Sequence, residues 1–522
     1  MIKKQIFLSF LLFSFLFSNA QFKQIAAGPS FDEPTNGFAK LLLMKNGSVI
    51  FFRIGIKDDQ IDVRIYDANH KETATTTLNP AYGKLKGGSL EGVFEINGDA
   101  VLMISEVSDK TPVLYRVIID GTNGKLKKEE KIAELKRMTM GMGYAMAFGG
   151  VDMPDFYVSK DPESDNYAVA LFNSFESDRS KRIEIVLYGS DHQEISRAFY
   201  ASPDEKYKYL QYVSMAVIGS EKVSVLVNGY NSGGKDREVI LATLNKGAKA
   251  VTFNELHFPQ DSVLESGLVR YNPITKKLIV AAKIHERKND KDAYLYIAFL
   301  DPEKGKAEKI IQSGLNASVN ERAAKIFGKK YKYWGVPVGM YINKDGGFSV
   351  TYEEAAVVAP FSHSNSSHVE TYSIAVGTYD PSGKLTSSYI IPKNFWIDNA
   401  GSLSYGGGFG NQYKRFAYIN GPEKSYILIN DTRRNIERLE KDKDPVQIQG
   451  VGDCDAFYFP LTGSDPIPQR KYLFGESDDK NERNLAPFGV STYDRVNDVF
   501  IVLKLLKEGR RDKSVSVIWM KP

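Results

Sequence analysis

Short runs rich in β-branched and aromatic residues recur along the whole chain, and each ends in a cluster of Gly, Pro, Asp and Asn before a second such run begins. This alternation predicts β-hairpins. In the tight turns we expect Asp to bond the local backbone, Pro to preset φ and Gly to take a positive φ. The clearest copies lie at Asp120 to Lys125, Asp301 to Lys306 and Asp380 to Lys384.

A second family of hairpins precedes these, with turns such as Asn97-Gly98-Asp99 and Asn343 to Gly347, and eight copies are present. Each pair of hairpins supplies four strands, as in Phe38 to Met44, Ser48 to Ile56, Gln60 to Tyr66 and Glu72 to Leu78. Residues 21 to 522 divided by eight give about 63 per unit, which is close to a four-stranded blade plus loops.

A four-stranded unit repeated at this period resembles a β-propeller. We therefore predict an all-β fold in which residues 21–522 form one propeller of eight blades, with seven blades and an extra hairpin near Asp455 to Phe474 as the alternative. The eighth unit has three good strands and ends at Ser514 to Met520, so Phe22 to Ala27 is predicted to add the fourth and close the ring. Ser318 to Glu321 reads as a capping box, which predicts one short helix over Arg322 to Phe327.

Residues 1–20 read as a secretory signal peptide, with Lys3 and Lys4, an apolar run from Ile6 to Phe17, and small residues before Gln21. The ending resembles signal peptides of Bacteroidota, and it predicts a periplasmic or secreted protein. No later segment has transmembrane length. Without Lys3 and Lys4, 66 of the 68 basic residues remain against 64 acidic ones, a formal charge of +2, which favours no nucleic-acid partner. Cys454 stands alone, so neither a disulfide nor a cysteine zinc site is expected.

Candidate chemistry along the chain is sparse, and we expect no metal, no cofactor and no enzyme activity. Soft Cu(I) ligation is one interpretation of the methionines between Met138 and Met153, against a flexible contact surface. The pattern of His363, His368 and Glu370 is expected to be an exposed loop rather than a metal site. Glu353 and Glu354 are adjacent and are predicted to point to opposite faces of a strand. Asp152, Asp155, Asp453 and Asp455 are interpreted as turn caps, and Gly406 to Gly410 as a glycine-rich loop. Asp261 to Val263 is a weak match to an O-glycosylation pattern.

Contact-forming residues concentrate in the long connections between units, which gather on one face of a propeller. The predicted partner-binding face comprises Met138, Met140, Met142, Tyr144, Tyr331, Tyr333, Trp334, Phe395 and Trp396. Aromatic and Met side chains are enriched at interfaces, although the same aromatics could merely cover the core between blades.

We therefore predict a non-enzymatic scaffold that binds a protein partner. The alternative is a glycan-binding or glycan-active propeller. In overall character the chain is similar to accessory subunits of outer-membrane machines, such as the plug subunit of the type 9 secretion translocon. That resemblance rests on the leader, the size and the fold rather than on a motif, and it implies an outer-membrane complex as the partner.

Overall fold

The computed structural model describes residues 22–55, 60–81, 88–149, 151–200, 206–231, 237–258, 262–286, 289–358, 368–398, 409–476, 484–508 and 512–522. The predicted signal peptide lies outside this described part of the chain. The described residues form eight antiparallel sheets in ring order, and each sheet is one blade.

The strands of the first four blades are numbered in chain order after two N-terminal strands, β1 (Lys23–Ala27) and β2 (Phe31–Asp32). Blade 1 contains β3 to β6, at Phe38–Leu43, Val49–Ile54, Ile61–Tyr66 and Glu72–Leu78. Blade 2 contains β7 to β10, at Ser89–Ile96, Asp99–Ser108, Thr111–Asp120 and Leu126–Glu134. Blade 3 contains β11 to β14, at Asp155–Lys160, Tyr167–Phe172, Ile183–Tyr188 and Glu194–Tyr200. Blade 4 contains β15 to β18, at Tyr209–Ile218, Lys222–Tyr230, Glu238–Asn245 and Thr252–Glu255.

The second half of the ring repeats the pattern. Blade 5 contains β19 to β22, at Ser262–Asn272, Lys277–Glu286, Asn289–Asp301 and Lys306–Ser313. Blade 6 contains β23 to β26, at Val336–Ile342, Phe348–Val358, His368–Tyr379 and Leu385–Ile391, with the extra strand β27 (Phe395–Asp398) paired to β25. Blade 7 contains β28 to β31, at Ala417–Asn420, Ser425–Thr432, Cys454–Pro460 and Lys471–Tyr472. Blade 8 contains β32 to β34, at Thr492–Asp494, Val499–Glu508 and Asp512–Lys521.

Strands from both ends of the chain complete blade 8, as the sequence predicted. Strand β1 pairs antiparallel with β34, from Lys23 opposite Lys521 to Ala27 opposite Ile518. Strand β2 pairs with β34 farther along the same strand. The alternative of seven blades and an extra hairpin is wrong, because Cys454–Pro460 and Lys471–Tyr472 are the third and fourth strands of blade 7.

Three α-helices lie in the described connections: α1 (Met140–Gly149), α2 (Ala317–Phe327) and α3 (Arg433–Leu439). Short 3-10 helices occupy Arg179–Lys181, Phe409–Lys414, Val451–Asp453 and Phe488–Val490. Helix α2 confirms the predicted helix, but its N-cap lies two residues earlier than the capping box suggested. Asn316 is its N-cap residue, so Ser318 lies inside the helix.

The core lies between blades, because each sheet packs its two faces against the sheets beside it. Ile185 of blade 3 and Val225 of blade 4 belong to one fully buried cluster. Leu226 of blade 4 and Val280 of blade 5 belong to the next. Since both faces are covered, the inner strands are apolar throughout, as in Tyr167–Phe172, where every residue is buried.

Consecutive strands of a blade run antiparallel, so their connections alternate between two opposite faces of the ring. The turns after the first and third strands of each blade lie on one face, named here the turn face. The connections after the second and fourth strands lie on the other, named the long-connection face. Hydrogen bonds join neighbouring blades across the turn face, with Asn97 Nδ2 donating to Ser190 O at 2.8 Å and Asn272 Nδ2 donating to Gly346 O at 2.8 Å.

The predicted turn chemistry is confirmed on the turn face. The carboxylate of Asp301 accepts from the backbone N–H of Glu303 at 2.8 Å, and that of Asp380 accepts from Ser382 at 2.9 Å. Gly305 and Gly383 take positive φ values of 63° and 85°. These local bonds end the strands at the turn face, so the hairpin turns of neighbouring blades lie side by side there.

Ring closure can be tested at Phe22, which lies just before β1 and is 4% exposed. Its ring contacts Tyr426 and Tyr458 of blade 7 and Phe500 of blade 8, at centroid distances of 5.1, 4.6 and 6.2 Å. We expect Phe22→Ala to lower the free energy of unfolding by about 3 kcal/mol, because it opens a cavity between two blades. Denaturant unfolding measures the loss. Ile25→Ala in β1, where the side chain is 44% exposed, is the control, expected within about 0.5 kcal/mol of wild type; equal losses in the two variants would contradict this role.

Candidate functional site

Helix α1 lies on the long-connection face, between the last strand of blade 2 and the first strand of blade 3. The Thr139 hydroxyl accepts from the Met142 N–H at 3.4 Å and caps its first turn. Its sequence, MGMGYAMAFG, contains only Met, Gly, Tyr, Ala and Phe. A helix that is apolar all round is ordinarily buried in a core.

Part of this helix is nevertheless open to solvent. Met140 is 79% exposed and Tyr144 is 64% exposed, and the four-residue spacing puts them on one side of the helix. Met142 is buried, and its sulfur accepts from the Thr139 N–H at 3.3 Å. The helix therefore uses Met142 for packing and presents Met140 and Tyr144 outward. Met140 and Met142 therefore face different surroundings, so these two thioethers do not converge on one Cu(I) ion.

The other predicted contact residues gather at the long-connection end of blade 6. Tyr331 Oη donates to Glu354 at 2.6 Å, and Tyr333 Oη donates to the Ser373 carbonyl at 3.3 Å. The Trp334 N–H donates to Glu354 at 3.2 Å, and its ring lies edge-on to Tyr372. These three aromatics are half-buried and hold the connection against the blade, which matches the covering role weighed for them from sequence.

Phe395 and Trp396 take different roles within β27. Phe395 is 1% exposed, so its ring is a core residue and cannot contact a partner. Pairing of β27 with β25 turns it inward, and that pairing left no signal in the local sequence. Trp396 is half-buried, and His368 stacks on it with a centroid distance of 3.4 Å.

A group of buried charges lies beneath these aromatics. Lys393 Nζ lies 2.7 Å from Glu353 Oε1, with both side chains almost fully buried. Lys393 also donates to Thr371 Oγ1 at 2.7 Å. Burial lowers the pKa of Lys393, and the Glu353 carboxylate opposes that shift. Glu353 and Glu354 thus turn to different partners, as predicted for adjacent strand residues, and both serve the packing of blade 6.

The expected exposed loop at His368 and Glu370 is wrong, since both residues lie in β25. His368 Nε2 is 3.6 Å from Glu370 Oε1, and Glu370 also accepts from Gln447 Nε2 at 3.0 Å. His363 lies outside the described residues, as do Gly406 to Gly408 and Asp261. Among the described residues, one set of three groups has ligating atoms within 4.8 Å of one another, namely Glu238, Glu255 and His257. Lys206 Nζ lies 2.5 Å from Glu255 and His257 Nδ1 lies 3.5 Å from Glu238, so each carboxylate already contacts a basic side chain of this chain.

Sequence reasoning missed a carboxyl cluster where the first strands of blades 2 and 3 begin. Asp152 and Asp155 are not mere turn caps, because Glu91 of blade 2 lies near them. Burial raises the pKa of Asp155 to about 7, and the Glu91 carboxylate adds to the rise. Burial also raises the pKa of Asp152 and of Glu91. Tyr157 of blade 3 stacks on Tyr212 of blade 4 beside them, with centroids 3.7 Å apart.

The remaining acidic candidates have local roles. Asp453 ends the 3-10 helix before β30, and Asp455 is the second residue of β30, opposite Asp431. Cys454 is a buried free cysteine. In the described part of the chain, no helix is both long and apolar enough to span a bilayer.

Comparison with known proteins gives no family for this chain. No family model matches, and no curated protein matches. Among solved structures of low similarity, the quinohemoprotein alcohol dehydrogenase from Comamonas testosteroni matches with a TM-score of 0.36 and 11% identity, over 81% of this chain and 66% of that one. The WD40 domain of SCAP from fission yeast matches with a TM-score of 0.37 and 6% identity, over 94% of both chains. The β-propeller domain of the Trilobed protease from Pyrococcus furiosus matches with a TM-score of 0.35 and 11% identity, over 86% of this chain and 98% of that one. This chain spans just under two thirds of the Comamonas enzyme. At these values the likeness assigns no function.

The carboxyl cluster predicts a pH-dependent stability. The folded protein keeps the Asp155 proton up to about pH 7, whereas the unfolded chain releases it near 3.8. The folded state therefore binds more protons between these values, so this group makes stability fall as pH rises from about 4 to 7 and leaves it lower above that. We expect Asp155→Asn to be more stable than wild type at pH 8, on the order of 1 kcal/mol, with a smaller difference at pH 4.5.

Denaturant unfolding at the two pH values checks this expectation. Asp109→Asn is the control, because that carboxylate is 81% exposed and takes part only in a surface ion pair with Arg137. Its difference from wild type should not change with pH. A pH-independent effect of Asp155→Asn would contradict the shifted titration.

Proposed function

We propose that this protein is a non-enzymatic scaffold of the periplasm that binds a protein partner through its long-connection face. We further propose that it belongs to an outer-membrane complex for protein secretion or assembly, such as a plug subunit of the type 9 translocon. The observation that carries the binding role is the wholly apolar helix α1 with Met140 and Tyr144 in solvent. The predicted leader supports the periplasmic address.

An apolar helix that is exposed to water gives up burial energy that contact with a partner would recover. Burying a Met or aromatic side chain from water is worth about 1.5–3 kcal/mol, so leaving two exposed forgoes that stabilisation. Met adapts its shape to a partner, and Tyr adds rigid area with a polar end. Exposed apolar patches of this kind mark interaction sites. Lys136 lies just before the helix and is exposed, beside Arg137 in its ion pair with Asp109, which favours a partner with an acidic group beside its apolar contact.

The buried ionisable groups of blade 6 near the same face support a structural rather than a catalytic role for that blade. Glu353 and Lys393 satisfy each other inside blade 6, and Glu354 is held by Tyr331 and Trp334. These groups are buried and paired, so they fix the connection in place. Such a face offers shape and apolar area to a partner.

The partner can be recovered by affinity purification of a tagged chromosomal copy from detergent-solubilised envelope, followed by mass spectrometry. We expect wild type to recover a stoichiometric envelope protein and Met140→Ser/Tyr144→Ser to lose it, because the apolar contact is removed while the buried Met142 is kept. Val496→Ser is the matched control. Val496 is 93% exposed on the turn face, so this variant should recover the partner as wild type does.

Thermal unfolding first establishes that both variants are folded. Recovery of no stoichiometric partner by wild type would contradict the scaffold proposal. Equal recovery by wild type and the Met140/Tyr144 variant would contradict α1 as the contact.

A glycan-binding function is the second candidate, favoured by the Tyr157–Tyr212 stack beside Glu91 and Asp155. Aromatic faces next to carboxyl groups are suited to sugar rings, and glycosidases use two carboxyl groups. We expect, under this function, that soluble xylan or mannan slows the protein in a native gel and that Tyr157→Ala abolishes the effect. Phe253→Ala, on the outer strand of blade 4, is the control; an unchanged mobility of wild type in both polysaccharides would count against this candidate for them.

A further inference from the structure

A cavity of about 700 Å³ lies at the centre of the ring on the turn face, opposite α1. Its wall is formed by first strands and their following turns from several blades, including β3, β19, β23, β28 and β32. The exposed residues Ile274 and Lys344 lie at its rim, so it opens through the turn face. A volume of this size accommodates a small organic molecule.

Besides the exposed Lys344 at the rim, three partly enclosed cations line this cavity, and none of them has a carboxylate partner among the described residues. Lys40 Nζ reaches the Gly489 carbonyl at 3.5 Å, Arg270 Nη1 donates to its neighbour Val269 at 2.8 Å, and Arg495 Nη1 donates to Ile342 at 2.8 Å. The Nε atom of Arg495 is buried and has no hydrogen-bond partner in the described structure. No ion pair in the described structure therefore offsets the positive charge of these three side chains.

Three enclosed cations elsewhere in the described blades do have a carboxylate partner. Lys393 pairs with Glu353 at 2.7 Å, Arg470 with Asp431 at 2.8 Å and Arg116 with Glu130 at 2.6 Å. An unpaired enclosed charge is costly, which is why folded proteins ordinarily pair it. The three cavity cations differ from these, because their hydrogen bonds go to backbone carbonyls instead.

Two acids, Asp161 and Glu163, also line the cavity, so the described lining holds four basic side chains against two acidic ones and keeps a net positive charge. Asp161 accepts hydrogen bonds from the N–H groups of Gly219 and Glu163 and from Ser164 Oγ, at 3.0, 3.1 and 2.6 Å. Its carboxylate therefore holds its own turn and the turn at Gly219 together. Glu163 is exposed at the rim, as Lys344 is. Burial lowers the pKa of Lys40 and of Arg270, as expected for cations enclosed without a counter-charge.

The rest of the wall is aromatic and apolar. Tyr341 and Tyr418 contact each other with centroids 4.5 Å apart, and Met340, Phe416 and Phe488 line the same space. Lys and Arg side chains are the usual receptors for phosphate and carboxylate groups. Aromatic walls add area for the body of a ligand.

We propose that the cavity on the turn face is a binding site for a small organic anion, with its phosphate or carboxylate group on Lys40, Arg270 and Arg495 and an aromatic or apolar body against Tyr341 and Tyr418. This site is separate from the proposed partner contact, which lies on the other face.

Calorimetric titration of the purified full chain tests the site with three probes. Phenyl phosphate carries both parts of the proposed ligand, inorganic phosphate carries only the anion, and benzyl alcohol carries only the ring. We expect one phenyl phosphate per chain, bound at least tenfold more tightly than either of the other probes, with an affinity that falls as salt is raised.

Variants assign the binding to the cavity. Lys40→Gln/Arg270→Gln should weaken phenyl phosphate binding at least tenfold, whereas Lys309→Gln on the outer strand of blade 5 should bind as wild type does. Met140→Ser/Tyr144→Ser should also bind normally, which separates this site from the partner contact. If the double variant fails to fold, Arg495→Gln in the turn after β32 replaces it.

Two results would overturn the proposal. One is no binding of phenyl phosphate at millimolar concentration by wild type. The other is unchanged binding by a folded cavity variant.

Discussion

The whole ring depends on the pairing of its two ends in blade 8. Each blade buries both faces against its neighbours, so an open ring would leave two large apolar sheets in water. Beyond the β1–β34 ladder, the Gly28 N–H donates to Val517 O at 2.8 Å, Ser516 Oγ donates to Gly28 O at 2.6 Å and the Glu33 N–H donates to Lys513 O at 2.9 Å. Phe22 then fills the space between blades 7 and 8. Together these contacts replace the covalent link that a chain with one cysteine cannot make.

Much of this architecture could be predicted because it is encoded locally. The Asp and Gly residues of turns such as Asp380 to Lys384 specify strand ends through bonds within five residues. Repetition of such turns gives the number of blades, and a missing strand in the last unit indicates closure by the first. The ends of helices were harder to predict where two residues could each act as the cap. In α2 the predicted cap was Ser318, whereas Asn316 caps the helix.

The sites were harder to predict because residues distant in sequence form them across blades. Glu91 meets Asp155 only when blade 3 packs on blade 2, and Lys40, Arg270 and Arg495 meet only around the axis of the closed ring. Phe395 reads as a surface aromatic until β27 pairs with β25. By contrast, the exposed Met140 and Tyr144 could be singled out from sequence, because an apolar segment inside a connection is itself a local signal; their contact with a partner stays a prediction.

Closure by terminal strands also has a kinetic consequence. Hairpins within a blade join near neighbours and form early, whereas the contact between Lys23 and Lys521 joins positions almost a whole chain apart. We therefore expect blade 8 to be the last blade to assemble. Until β34 is in place, β1 has no strand to pair with. The faces of blades 7 and 1 that pack on blade 8 then stay open to chaperones and proteases. A chain halted before β34 carries these uncovered surfaces, which distinguish it from the finished ring.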